Sequence, residues 1–564
     1  MMRQIEFKRG KSMELRGPMM NGDSPLFRLR SERPRLVSDV SRRSFNNFVR
    51  ASRDDRGTGI EYILNDAAYQ EIERLKREQG PEDEVRSIAW WRNVSKQLAT
   101  MSEREKRRIL NSLIESYADD IAGRFNPWVY KMATGVMPIG LGLLFKAQEL
   151  PGADVPKGIR DLQRVMNHLR DLTDRVMIQG EIKTLQNLAR KGTLVFVPTH
   201  SSNMDSILVG WSLYAAGLPP VTYGAGKNLF TNPLTSFFMN NLGAYKVDRR
   251  LSHDLYKGVL KTYSQLLIEK GYHSLFFPGG TRCRSNIVEQ KLKLGLLGTA
   301  LTGYIHNLMR DPEAKPVYIC PMTINYNLVL EGESLIENHF KREGQGRYLL
   351  ENDEFNQLAS VTRFVMKTMK MDSTTILRFG TPLDPFGNEV RADGESYDKR
   401  GRRVDRSDYV RSARSGEIVY DVSRDRQYTR HTGECIAEAF LENTVAMPTN
   451  VVSWVLFDRL QRRYPNWDVF RLVRFGADEI ISWEELHRGV EELLKHLRKL
   501  ESEGKVRLSP FLHEEDPDRI VYAGIEYLRM YHTPEPVKSW SDGVMLQKVE
   551  LIYFYGNRVR TFTE

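Results

Sequence analysis

From about residue 191 the chain alternates short, uninterrupted apolar runs with segments of helical periodicity, and this alternation narrows its fold more than any other feature. TLVFVP (193–198), VTYGAG (221–226), AYKVD (244–248), SLFFP (274–278), PVYICPMTI (316–324) and TTILRFG (374–380) read as strands; helical patterns fall near 205–216, 253–270, 286–309 and 356–371. A strand apolar on both faces must be covered on both, so the pattern predicts an α/β fold, a largely parallel β-sheet flanked by helices. Sheets of this kind gather chemistry in the loops at the carboxyl ends of their strands.

Around this predicted catalytic unit (191–384) the sequence divides further. Residues 1–60 hold 14 Lys/Arg against 7 Asp/Glu with little periodicity and are expected to form a flexible basic arm, either merely solvated or drawn to anionic lipid. Residues 61–190 are expected to be helical; in SEREKRRILNSLIESYADDIAGRF the positions Ile109, Leu110, Leu113, Ile114 and Tyr117 recur at helical spacing. This region includes the apolar run Met132–Phe145, too short and too broken by glycine and proline to span a bilayer. It reads equally as a buried element or as a segment lying in a membrane interface. Residues 385–432 are crowded with charge and glycine, which predicts a surface excursion, and 433–564 a smaller C-terminal α+β domain with a capping-box helix start at Ser482 and Glu485.

At 564 residues the chain is long enough for several domains. Cys283, Cys320 and Cys435 lie far apart and form no Cys-x-x-Cys pair, which argues against a disulfide framework or a zinc ribbon. The N-terminal MMRQIEFKRGKSMELRG has no clean apolar core, so no secretory signal is expected. A net charge of +10 favours anionic partners, whether nucleic acid, acidic membrane or phosphorylated substrate. No aromatic stacking strand or recognition-helix motif accompanies that charge, so nucleic acid is not expected among them.

His-x4-Asp occurs three times, at His200/Asp205, His306/Asp311 and His513/Asp518. His306 falls within an amphipathic helical pattern and His513 in a polar acidic loop. His200 instead follows a buried-type strand, Pro198 and Thr199 turn the chain, and SSNMDSI offers helix-capping residues. Asp205 then lies about one turn on, close enough to accept from Nδ1 and leave Nε2 as a base. On this alone a satisfied core histidine and a catalytic one are equally good readings. Further on, LGAYKVDRR puts Arg249 and Arg250 just after a strand, a pairing suited to phosphate or to a surface ion-pair cluster. LFFPGGTRCRSN brings Gly279, Gly280, Thr281, Arg282 and Arg284 into one turn, and ICPMTINYN puts Pro321 at a strand end, where it would shape an apolar wall.

In this order PTHSSNMD, GAYKVDRR, FFPGGTR and CPMTINY resemble the four sequence blocks of the glycerol-3-phosphate and 1-acylglycerol-3-phosphate (lysophosphatidate) acyltransferases, across roughly 190–330. The first two blocks are closer to the glycerol-3-phosphate enzymes, and GKNLFTNP adds Lys227 and Pro233, which match a linking segment of the family. The resemblance implies the acyltransferase fold, with His200 as base and Asp205 orienting it. It assigns Arg249, Arg250, Gly280, Thr281, Arg282 and Lys227 to substrate binding and implies no metal. The implied reaction moves a fatty acyl group from acyl-CoA or acyl-carrier protein, a co-substrate and not a cofactor, to a hydroxyl of glycerol 3-phosphate in phospholipid biosynthesis. The implied partners are glycerol 3-phosphate or lysophosphatidate, an acyl thioester and an anionic membrane surface; the implied location is peripheral or monotopic on the cytoplasmic side. A lysophosphatidate acyltransferase and a catalytically inactive lipid-binding homologue are the alternatives. One departure bears on them: the third block usually reads Phe-Pro-Glu-Gly-Thr-Arg, and this chain has Gly279 where the glutamate would stand.

Overall fold

In a computed structural model of the chain, the described residues are 24–54, 59–77, 87–131, 133, 176–230, 233–344 and 374–563. Among them, seven strands form the central sheet: β1 (Val176–Gly180), β2 (Thr193–Pro198), β3 (Thr222–Gly226), β4 (Ala244–Val247), β5 (Ser274–Leu275), β6 (Val317–Tyr326) and β7 (Thr375–Phe379). Their order is β1-β7-β6-β2-β5-β3-β4. β2 to β6 run parallel, and β7 turns antiparallel to β6 and carries β1 parallel to itself. Every residue of β2 and β6 is buried, which is what a strand covered on both faces requires.

The six strands expected from sequence are present, with SLFFP shortened to Ser274–Leu275 because Phe276 and Phe277 already lead into the turn. β1 lies within the stretch expected to be helical; five residues ending in Gly180 and paired with β7 carry too little pattern to announce a strand. Pro321 lies inside β6 and not at its end, since β7 takes up the pairing from Met322 through Tyr326. The helix expected over 286–309 begins only at Leu294, because Asn286 sits at φ 63° and the preceding residues form a loop. The helix expected over 356–371 and most of Met132–Phe145 lie outside the described residues.

Of the stretch expected to be a flexible basic arm (1–60), the described residues 25–54 form a 3-10 turn and one long helix. Helix α1 (Leu29–Asp54) buries Leu29, Leu36 and Val40 beneath a cationic outer face, and the abundance of arginine hides this stripe from a reading by composition. With α2 (Ile60–Arg77), α3 (Ile88–Gln97) and α4 (Glu103–Ile121) it packs around the helix Asp254–Glu269. The approach is close: a Cβ on Gly258 would lie 2.5 Å from the Phe48 ring.

The excursion at 385–432 folds back as a small antiparallel ladder (389–404). Its expected end at 432 falls inside the helix Val422–Glu442, whose Cys435, Ile436 and Phe440 pack on the helix Leu294–Arg310. Beyond it, helices and a three-stranded antiparallel sheet share one apolar core with β2, β6 and β7. The last helix, Val549–Arg560, reaches back beneath the carboxyl ends of the strands, where Asn557 donates to the Ser285 carbonyl and Asn286 to the Phe554 carbonyl. No described helix is long and apolar enough to cross a membrane.

Candidate active site

β2 delivers His200 to the carboxyl edge of the sheet. The Thr199 N–H donates to the Met322 carbonyl and its Oγ1 accepts from the Ile324 N–H, so the turn after β2 is stitched to β6. His200 Nδ1 lies 2.8 Å from Asp205 Oδ2, and the imidazole stacks on Phe277 at 4.2 Å with its side chain 12% exposed. Asp205 is sealed; its Oδ2 also accepts from the Ser201 and Ser202 N–H groups at 2.6 and 2.9 Å, and Oδ1 accepts from the Tyr326 hydroxyl at 2.5 Å. With Nδ1 facing the carboxylate, Nε2 is the nitrogen left for a substrate proton. The other two histidines of the repeated spacing bond elsewhere: His306 to Glu269, and His513 to Glu501, with Asp518 paired to His487.

The start of the helix Asp205–Ala215 is held by acids and not by the Ser and Asn side chains alone. Glu331 accepts from Ser202 Oγ and the Asn203 N–H, both at 2.9 Å, and lies 3.4 Å from Arg282. Burial raises the Glu331 carboxyl, with Arg282 pulling it back.

The glycine turn packs directly against His200, for the Cys283 N–H donates to the His200 carbonyl at 2.7 Å. Gly280 has φ +74°, a conformation that favours glycine, and a Cβ there would meet Lys293 Nζ at 2.8 Å. Thr281 sits half-buried between Gly280 and Arg282. Around this turn is a field of like charge: burial and then Arg342, Arg282 and Arg249 lower Arg284, while burial and then Arg249, Arg284 and Arg342 lower Lys293. Cations that depress one another's proton affinity make a region of positive potential.

The expected phosphate residues therefore divide. Arg249 and Arg282 share this field with the Gly280–Thr281 turn. Arg250 is bound to Asp248 through Nε and Nη2 at 2.9 and 2.8 Å, and Lys227 sits 3.6 Å from Asp248 and 3.7 Å from Asp120. Lys293, Arg342, the half-buried Glu289 and the buried partners Tyr326, Glu331 and Arg558 were not among the expected site residues. Tyr326 had a signal, since it shares a strand face with Met322 and Ile324 inside the fourth block. Among the described residues no three His, Cys, Asp or Glu side chains converge to hold a metal.

Residues 179–325 match the model of the family described as Acyltransferase. The chain is 26% identical over 226 residues to the glycerol-3-phosphate acyltransferase of Xanthomonas axonopodis pv. citri, an alignment covering 40% of this chain and 24% of that protein. It is 30% identical over 199 residues to the glycerol-3-phosphate acyltransferase of Pseudoalteromonas atlantica, covering 35% of this chain and 22% of that one. The match thus spans about a quarter of the length of these relatives. The crystal structure of the 1-acyl-sn-glycerophosphate acyltransferase of Thermotoga maritima aligns with 59% of this chain and 96% of its own at 14% identity and a TM-score of 0.25.

Proposed function

Residues 179–325 carry a domain of the acyltransferase family, and on that premise we propose that the chain transfers a fatty acyl group from an acyl thioester to a hydroxyl of glycerol 3-phosphate. The single observation that carries the reading is that one His-x4-Asp of three closes on its own aspartate, and does so in the loop bonded to the cationic turn. An imidazole steered by a carboxylate, facing a field of Arg and Lys, suits a substrate that carries a hydroxyl at one end and a phosphate at the other.

In this mechanism His200 Nε2 takes the proton as the hydroxyl oxygen attacks the thioester carbonyl; the tetrahedral intermediate then collapses, expelling the thiolate, which takes up the proton from the imidazolium. No acyl-enzyme forms. Asp205 holds Nδ1 and stabilises the imidazolium. Arg249, Arg284 and Lys293 draw in the phosphate, the Gly280–Thr281 turn lets it approach the backbone, and Glu331 aims Arg282 at the same place. Arg250 and Lys227 stay tied to Asp248. The donor is acyl-CoA or acyl-carrier protein. The basic surface seats the protein on the cytoplasmic face of an anionic membrane, where the lipid product is released.

The test is to offer purified protein a labelled acyl thioester with glycerol 3-phosphate or with lysophosphatidate, using CoA and carrier-protein donors in separate arms. Glycerol 3-phosphate is expected to be the acylated acceptor. Acylation of lysophosphatidate alone moves the assignment to the second acceptor; no ester from either, in folded protein, ends it. Within the same assay, Lys293→Ala is expected to raise KM for glycerol 3-phosphate about tenfold or more while kcat changes less, the effect of removing one charge-assisted contact to a bound anion. An unchanged KM would take Lys293 out of the phosphate site.

A further inference from the structure

The carboxyl group missing from position 279 has a counterpart. A Cβ built on Gly279 would lie 2.4 Å from Glu289 Oε1 and 2.8 Å from its Cδ, so the Glu289 carboxyl already fills the space into which a side chain at 279 would grow. Glu289 comes from the loop that replaces the first turns of the expected helix at 286, and that loop is anchored at both ends. The Cys283 N–H donates to the His200 carbonyl, the Lys293 N–H donates to the Pro278 carbonyl at 2.7 Å, and the last helix clamps Ser285 and Asn286. The carboxyl tip is turned inward toward the base: it accepts from the His200 backbone N–H, faces Asp205 and Arg558, and its Oε2 is sealed from solvent with no hydrogen-bond partner among the described residues. A sealed polar atom left without a hydrogen-bond partner is costly and calls for a reason to be kept.

We propose that Glu289 is a positioning residue for His200, holding the histidine's loop from behind in the volume that a side chain at 279 would occupy, so that glycine at 279 and glutamate at 289 act as one coupled pair. The proposal rests on His200 being the base. Burial, partly offset by Arg558 and the His200 N–H, pushes the Glu289 carboxyl up to about 8. It is therefore neutral at pH 7 and becomes a second negative charge beside Asp205 above pH 8. The titratable and charged groups facing it are Asp205 at the start of its helix, Arg558 from the last helix and Cys283 from its own loop.

Four variants test this: Glu289→Ala, Glu289→Gln, Gly279→Glu, and Gly279→Glu combined with Glu289→Ala. Glu289→Ala is expected to lower kcat about tenfold or more with KM for glycerol 3-phosphate little changed, because the base is displaced and the phosphate site is not. Glu289→Gln keeps an acceptor for the His200 N–H and is expected to retain most of kcat at pH 7 while losing the wild-type inflection near pH 8. Gly279→Glu alone forces two carboxyls into one place and is expected to be the least active single variant; adding Glu289→Ala is expected to restore activity above it. A wild-type kcat and pH profile in Glu289→Ala, or a folded double variant no better than Gly279→Glu, overturns the pairing. Carbethoxylation of His200 by diethyl pyrocarbonate, followed by peptide mass spectrometry, reads the loop without any acyltransferase activity. It is expected to run several-fold faster in Glu289→Ala and to return toward the wild-type rate in the double variant. Unaltered labelling sinks the positioning role even if the acyl acceptor proves to be something else.

Discussion

Replacing His200 with alanine is expected to lower turnover by at least ~10², the usual worth of a positioned general base, with the thermal unfolding midpoint little changed. The side chain is 12% exposed and packs chiefly on Phe277, so its loss opens a small hollow at the site edge and no cavity in the core. Asp205 behaves differently. Its Oδ2 is the acceptor for two backbone N–H groups besides the imidazole, so Asp205→Ala leaves buried donors orphaned and costs stability as well as rate. In Asp205→Asn the same two N–H groups force the amide oxygen, and not the amide nitrogen, toward His200. The tautomer is then kept while the charge that stabilises the imidazolium is lost, and the activity of this variant should fall between wild type and His200→Ala. Steady-state kcat and KM for the three variants, each with a melting curve, check the order. Near-normal turnover in folded His200→Ala would remove the base from the mechanism.

What was legible in the sequence was local. β2 and β6 advertise themselves by near-continuous apolar runs, and Ser482 with Glu485 makes the capping box that their spacing announces. His200 was legible as a candidate only because its strand, turn and helix start are contiguous. The parts that failed to show are those made by distant segments meeting. Glu289 lies in a run that reads as helix, since Ile287, Val288 and Leu292 have helical spacing; only the closing of the loop on His200 and on the last helix turns its carboxyl inward. α1 hides its Leu29, Leu36 and Val40 stripe among arginines, and its docking depends on Gly258 far along the chain. Lys293 reaches the anion field from the loop before Leu294 and Arg342 from the helix Gly332–Gly344, and no spacing rule joins them to Arg249.

Arg558 is the most distant of these partners, and its removal should be the most destabilising single change. The guanidinium is fully buried at the underside of the site, where Nη2 donates to the Ile324 carbonyl and Asn325 Oδ1 at 3.2 Å. It faces Cys283, Glu289, Asp205 and Tyr326, so it is the buried positive charge set against two carboxyl groups. Arg558→Leu keeps much of the volume but leaves the acids unbalanced, and stability is expected to fall by about 3–5 kcal/mol, the cost of taking away one member of a buried charged set. The loss should depend on pH with a definite sign. Glu289 is pushed up to about 8 in the folded chain, above its unfolded value near 4.3, so between those limits the folded state holds more protons and stability falls as pH rises. Without Arg558 the Glu289 carboxyl should hold its proton to still higher pH, extending that decline, whereas Glu289→Gln should abolish the contribution and soften the Arg558→Leu penalty. Urea unfolding of wild type, both single variants and the double at pH 6 and pH 9 measures this as a coupling energy. Additive losses at both pH values would mean that the last helix supports the site by packing alone, with no charge passed from Arg558 to the acids beside His200.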